Sequence, residues 1–156
     1  MEVEKKIQQL GLVLPPSPEP VANYVPVVRT GNLVFVSGHG PGYVEDGKMT
    51  FVRGRLGADM DVDQGYAAAK QVVLNILRSI KNELGDLDKI QKIVKLLGFV
   101  NCTSEFQDQP AVINGASDTL VDLFGERGRH ARSAVGMNQL PFGIAVEIEM
   151  VVEVAE

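Results

Sequence analysis

The sequence is poor in the features that mark secreted and membrane proteins. Its 156 residues include one cysteine, Cys102, and no tryptophan, so a disulfide cannot form within the chain. No apolar run approaches the ~20 residues that a membrane-spanning helix requires. The residues after Met1 lack the basic start and apolar stretch of a secretory signal. We therefore expect a cytoplasmic protein with no membrane partner.

Positive charge is also scarce. The chain has 15 Lys and Arg residues against 20 Asp and Glu residues, a formal net charge of -5, whereas nucleic-acid-binding domains usually present a basic surface. The densest basic stretch contains Arg127, Arg129, His130 and Arg132, and no aromatic residue lies within it. The two histidines and the cysteine are not spaced as metal ligands. We expect neither a nucleic-acid partner nor a metal ion.

Length and composition favour one globular domain over residues 1–156. Hydrophobic residues make up 45% of the chain and charged residues 22%, which is ordinary for a packed domain. Residues 1–20 form an N-terminal extension, in which residues 2–10 are a predicted short helix. The prolines that follow forbid regular structure and predict an extended connector.

The order of hydrophobic patterns predicts an α+β fold. β-branched and alternating segments indicate strands, and apolar stripes at helical spacing indicate two long helices. A mixed sheet with both helices packed on one face accounts for this order. The glycine-rich segment 38–42 should end the second strand and form a loop. The predicted strands cover residues 25–29, 33–37, 49–52, 90–100, 133–137 and 144–154, and the helices run from Asp61 or Asp63 to Leu84 and over 111–124.

The last predicted strand separates two faces of the sheet. The side chains of every second residue from Ile144 to Val154 are apolar and should lie under the helices, while the alternate set includes three glutamates. The glutamate face is either a solvated surface or the lining of a wet interior between subunits, since a sheet covered on one side often covers its other side by oligomerising. In the second case Glu147 lies in a partly enclosed polar cavity.

Arg132 is the second candidate for chemistry. Arginine presents a planar fork of donors that matches a carboxylate bidentately. Its partner could be a ligand carboxylate or a carboxylate of the chain such as Glu149, and the residues alone leave both possibilities open.

Three sequence blocks resemble one known family. The first is Tyr24 followed by GNLVFVSG at 31–38, the second is VIN at 112–114, and the third is ARSAV at 131–135 with LP at 140–141 and VEIE at 146–149. In this order and spacing, residues 20–154 resemble the YjgF/RidA family of reactive-intermediate deaminases, which also carries the name endoribonuclease L-PSP.

The resemblance implies a chorismate-mutase-like fold and a homotrimer whose sheets form a central barrel, with active sites between subunits. It implies that Arg132 grips a substrate carboxylate and that Glu147 is associated with the attacking water. It implies neither a metal ion nor an organic cofactor. The other pocket positions that it implies are Tyr24, Ser37, Gly38, His39, Asn114 and Ala134.

The chain departs from the family pattern at the pocket wall. Ala134 stands where the family has a cysteine, and His39 stands where glutamine is common. His39 could therefore touch substrate or be a hydrogen-bonded wall residue. The N-terminal extension and a longer 43–61 region also mark a divergent member whose substrate could differ.

The function implied is hydrolysis of imines and enamines, such as 2-iminopropanoate, to a 2-keto acid and ammonia. A carboxylate that orients water and takes its proton suits this reaction. A non-catalytic binder of small carboxylates or keto acids would use Arg132 without activating water. A ribonuclease is a third possibility, against which the acidic charge and the lack of a histidine pair both count.

Overall fold

The structure, a computed structural model, describes residues 1–17 and 22–156, so part of the proline-rich connector lies outside the described residues. Its regular elements follow the predicted order, except for an additional short strand at Gly42–Glu45, which begins in the segment predicted as a loop. No helix in these two ranges is both long and apolar enough to cross a membrane. The helices are α1 (Glu2–Gln9), α2 (Val62–Leu84) and α3 (Gln109–Phe124), and the strands are β1 (Val27–Thr30), β2 (Leu33–His39), β3 (Gly42–Glu45), β4 (Lys48–Phe51), β5 (Ile90–Asn101), β6 (Ala131–Met137) and β7 (Val146–Val154).

Five strands form one mixed sheet in the order β1-β2-β7-β5-β6. Neighbouring strands are antiparallel except β5 and β6, which run parallel. The parallel pair requires a crossover connection, and α3 supplies it. This arrangement confirms the predicted α+β fold with a mixed sheet. Strands β3 and β4 form a separate two-stranded hairpin.

Helices α2 and α3 cover one face of the sheet and create the core. Residues of α2 such as Val72, Ile76 and Ile80 are fully buried, as are Ile148 and Val152 of β7. The predicted apolar face of the last strand is therefore confirmed as the face under the helices. Helix α1 adds its own apolar side chains, Val3 and Ile7, to the same core.

The start of α2 is fixed by a capping box. The Asp61 side chain accepts a hydrogen bond from the backbone N–H of Gln64, and the Gln64 side chain accepts one from the backbone N–H of Asp61. This arrangement satisfies two N–H groups that would otherwise lack partners at the helix start. Of the two predicted caps, Asp61 and Asp63, the structure uses Asp61.

The prediction that no strand continues past Ser37 was wrong. Strand β2 runs through Gly38 to His39, with a bulge between Val36 and His39. Val36 pairs with Met150 and His39 pairs with Ile148, so Ser37 and Gly38 together face the single residue Glu149. A two-for-one bulge leaves one residue without a partner and bends the strand, and no alternation pattern in the sequence indicates it.

The other face of the sheet has no helix on it in the described part of the chain. It is apolar and exposed toward its edges, where Val28 is 52% exposed, Phe35 45% and Val135 39%. The acidic residues of β7 project from this face, which we call the open face, and they alternate along the strand with the buried residues of the helix side.

Candidate functional site

Glu147 lies at the start of β7 on the open face, directly opposite Phe99 of β5. Its side chain is half-buried and packs against the β2 bulge. A β-carbon placed on Gly38 would lie 3.0 Å from the Glu147 carboxyl carbon, so the glycine leaves the space that this carboxyl group occupies. Burial raises the pKa of Glu147 above its ordinary value, and the nearby Glu149 carboxylate raises it further. This carboxyl group is thus a better proton acceptor than a solvated one.

The bulge beside Glu147 is held from the helix side by His39. The imidazole is buried, with Nδ1 at 2.6 Å from the Ser37 carbonyl oxygen and Nε2 at 2.8 Å from the Ser79 hydroxyl of α2. Burial lowers the pKa of His39, and the Ser37 bond opposes that shift. His39 therefore points away from the face that carries Glu147, which places it behind the predicted pocket wall.

Tyr24 and Ser37 lie on the approach to the same bulge. The Ser37 hydroxyl donates to the Val25 carbonyl oxygen at 2.7 Å. Tyr24 immediately precedes Val25 and is 45% exposed. We call Tyr24, Ser37, Gly38 and Glu147 the glutamate half-site.

Arg132 lies on β6, the edge strand, beside α3. One terminal nitrogen, Nη1, donates to the Ser117 hydroxyl at 3.1 Å, and the other, Nη2, donates to the Pro110 carbonyl oxygen at 3.2 Å. Within residues 1–17 and 22–156 it forms no ion pair, so the guanidinium group remains available to an external carboxylate.

Two further predicted residues accompany Arg132. Asn114 is exposed on α3 between Pro110 and Ser117, and Ala134 follows Arg132 on the same face of β6 and packs against the core. We call Arg132, Asn114, Ser117 and Ala134 the arginine half-site. The helical spacing of Asn114 and Ser117 could have indicated that both face the same neighbour, yet Ser117 was not predicted as a site residue.

The two half-sites do not meet within one chain. Side chains directly opposite each other on paired strands project from the same face. Arg132 pairs with Leu96, which pairs with Met150, and both of these are buried under the helices. Arg132 therefore belongs to the helix side, whereas Glu147 belongs to the open face. The two residues are also two strands apart, roughly 10 Å across the sheet.

A third polar cluster, away from both half-sites, contains carboxylates. Glu4, Asp86 and Asp88 place three oxygen atoms within 4.8 Å of one another near the N-terminus. The Met1 ammonium group already lies 2.9 Å from Asp88, and the amides of Glu2 and Val3 donate to the same carboxylate. These bonds make the cluster an anchor for α1.

Comparisons with known proteins show the family of the chain. A family model described as "YjgF/chorismate mutase-like, putative endoribonuclease" matches residues 4–153. The chain is 45% identical over 152 residues to Protein TCP17 of Trypanosoma cruzi, covering 97% of this chain and 93% of that protein.

Solved structures show the same fold. Atu1372 from Agrobacterium tumefaciens, a protein of unknown function, is 46% identical with a TM-score of 0.88, and the match covers 98% of this chain and 92% of that one. RidA from an Antarctic Psychrobacter species is 27% identical with a TM-score of 0.60, covering 88% of this chain and 94% of that one.

Proposed function

Because the chain belongs to the YjgF/RidA family, with its chorismate-mutase-like fold, we propose that it hydrolyses reactive imines and enamines to 2-keto acids and ammonia. The observation that carries the proposal is the presence of two preorganised groups on the same chain. One is an anchored arginine that makes no ion pair among the described residues. The other is a half-buried glutamate whose pKa is raised.

Substrate binding depends on Arg132. The substrate 2-iminopropanoate carries a planar carboxylate next to the reacting C=N carbon, and a guanidinium group can hold both carboxylate oxygens at once. Two anchors on α3 fix the guanidinium plane before substrate arrives, so less side-chain entropy is lost on binding. Arg132 thereby sets the position of the electrophilic carbon relative to the catalytic water.

Hydrolysis depends on Glu147. As the water oxygen bonds to the imine carbon, Glu147 accepts a proton from the water, and the C=N electron pair moves to nitrogen, which gains that proton. The carbinolamine then loses ammonia as its C–N bond breaks and C=O forms. The hydroxyl proton passes through Glu147 to the leaving nitrogen, and the carboxylate is regenerated. A raised pKa suits a group that must both take and return a proton.

A complete site requires a second copy of the chain, because Arg132 and Glu147 project from opposite faces of one sheet. We propose a homotrimer in which the arginine half-site of one subunit meets the glutamate half-site of its neighbour. The exposed apolar side chains of the open face, including Phe35 and Val135, support burial of that face between subunits. Closed, symmetric assembly of this kind is the common form of homo-oligomers.

The test is formation of keto acid and ammonia from freshly generated 2-iminopropanoate. We expect acceleration by the wild-type protein and a loss of at least about 100-fold in Glu147→Gln, the size of a general-base contribution. Arg132→Ala should lose both activity and binding of pyruvate. Exposed residues provide the matched controls, Glu45→Gln and Arg129→Ala, which should retain activity.

Three results would contradict the proposal. Hydrolysis by the wild type at the buffer rate, with pyruvate still bound through Arg132, would favour the non-catalytic carboxylate binder. Full activity in Glu147→Gln would remove this glutamate from the mechanism. Salt-sensitive cleavage of RNA, absent in Arg132→Ala, would instead favour the ribonuclease.

A further inference from the structure

We propose that Ser117 and His130 are positioning residues that hold the Arg132 guanidinium group in the orientation in which it grips the substrate carboxylate. The inference rests on the proposed function, because it concerns the same arginine. Neither residue belongs to the sequence blocks that carry the family resemblance, and neither need touch substrate. Their role follows from one chain of hydrogen bonds that ends at Arg132.

The Gly128 carbonyl group, at the end of this series farthest from Arg132, fixes the direction of each hydrogen bond. His130 Nδ1 lies 2.6 Å from the Gly128 carbonyl oxygen, which can only accept, so Nδ1 carries the proton. In the neutral ring Nε2 is then an acceptor. Nε2 lies 2.8 Å from the Ser117 hydroxyl, which must therefore donate to it.

The Ser117 hydroxyl oxygen accepts a hydrogen bond from Arg132. Because its proton is donated to His130, the hydroxyl presents lone pairs to the Arg132 Nη1 group 3.1 Å away. His130 thus converts a freely rotating hydroxyl into an oriented acceptor. A hydroxyl without such a partner could turn its own proton toward the guanidinium group and repel it.

The surroundings of His130 favour the neutral imidazole ring that this series of hydrogen bonds requires. Burial lowers the pKa of His130, the bond to Gly128 opposes that shift, and the positive charge of Arg132 lowers the pKa further. His130 and Arg132 lie two positions apart at the start of β6, and both are directed toward α3, where Ser117 lies. The strand and the helix together therefore fix the geometry.

The same arrangement lies behind the glutamate half-site, on the helix side of the sheet. His39 binds the carbonyl group two residues before it through Nδ1 and a helical serine, Ser79, through Nε2, just as His130 binds Gly128 and Ser117. There the histidine holds the bulge that packs against Glu147. The chain has two histidines, and each supports one half of the proposed site from behind.

The experiment measures the Kd of 2-oxobutanoate, a stable keto acid probe, by calorimetry, together with KM and kcat for 2-iminopropanoate. Ser117→Ala should weaken binding of the probe about five- to tenfold, the net contribution of an ordinary hydrogen bond, because the lost bond acts on substrate only through Arg132. It should raise KM by the same factor and leave kcat within about twofold. His130→Phe, which keeps an aromatic ring but has no ring nitrogens, should also raise the Kd and KM.

Two variants separate positioning from damage to the fold. Ser117→Thr keeps the hydroxyl and should restore wild-type Kd and KM to within about twofold. Ser104→Ala, an exposed serine bonded to Glu105, is the matched control and should change nothing. Nitrogen NMR of the free protein should show the neutral Nδ1–H form of His130 and a shift of the Arg132 Nε–H signal in Ser117→Ala.

The outcomes distinguish the two proposals. Wild-type binding and hydrolysis with an unchanged Kd in Ser117→Ala would overturn the positioning role and leave the proposed function intact. An Nε2–H form of His130 would also overturn it, since the hydroxyl could not then donate to that nitrogen. A wild type that neither binds 2-oxobutanoate nor hydrolyses the imine would remove the proposed function, and the positioning role with it.

Discussion

Glu147 owes its chemistry to the residues that surround it on the open face. The carboxyl group is half-buried against Gly38, where a larger residue would meet its carbon atoms. Glu149, two positions along β7, adds a like charge on the same face. Both effects disfavour the ionised form, burial more strongly than charge. The residue that should accept a proton in hydrolysis is therefore the one whose proton affinity the fold increases.

The raised pKa of Glu147 predicts where activity is lost at low pH. A base must be ionised to act, so turnover should fall as pH decreases through the raised pKa of Glu147. Replacing Glu149→Gln removes the like charge and should lower the pKa of Glu147. The acid limb of the kcat/KM profile should therefore move to lower pH in Glu149→Gln. An acid limb that stays in place would mean that another group controls the profile, and Glu45→Gln serves as the control.

Among individual residues, the sequence offered candidates but not their contacts. Arg132 could be selected because its planar fork of donors suits a carboxylate, whereas the link between Glu147 and the attacking water came from the family resemblance. Ser117 and the role of His130 were not predicted, and His39 was predicted as a hydrogen-bonded wall residue only as one of two alternatives. The partners of all three depend on contacts between elements distant in sequence, such as His39 with Ser79. No local pattern marks such contacts.

At the scale of elements, helix and strand periods predicted which faces are buried. The alternation in β7 indicated the helix side correctly, and the stripe of α2 indicated its core face. The bulge in β2 was missed, because glycine at 38 reads as a strand end when its partner strand is unknown. The bulge matters for the site, since it lets Val36 and His39 both face the helices and places Gly38 beside Glu147.

The capping box of α2 predicts an unequal effect of two neighbouring aspartates. Asp61→Ala removes the side-chain bond to the Gln64 amide and should lower the free energy of unfolding by about 1 kcal/mol. For a chain of this length that corresponds to a fall in Tm of roughly 2–4 °C. Asp63 is also exposed and lies two residues after Asp61, so Asp63→Ala should lower the free energy of unfolding by less. Equal losses measured by calorimetry would show that the cap contributes only through its charge.

At the scale of the whole molecule, the subunit is an incomplete enzyme under the proposed function. Its sheet presents Glu147 on the open face, while Arg132 projects toward the helices at the edge strand. Face assignment in β7 could be made from sequence, but the parallel pairing of β5 with β6, which sets the face of Arg132, could not. Under the proposed function, assembly is required for activity, because it brings together two half-sites that lie apart within one subunit.

This separation predicts that two inactive variants restore activity when they share a trimer. Each site would take its arginine from one subunit and its glutamate from the next, so a site is intact when an Arg132→Ala subunit supplies Glu147 and a Glu147→Gln subunit supplies Arg132. Random co-assembly at equal amounts gives this combination in about one quarter of the sites. Purification of co-expressed variants through two different tags removes the trimers built from one variant alone, and each remaining mixed trimer contains one intact site out of three. These mixed trimers should therefore show roughly a third of wild-type kcat with an unchanged KM, whereas each variant alone should remain inactive. Mixed trimers as inactive as their parents would mean that both residues act within one subunit, which would require Arg132 to leave its bonds to Ser117 and Pro110 and reach the other face of its own sheet.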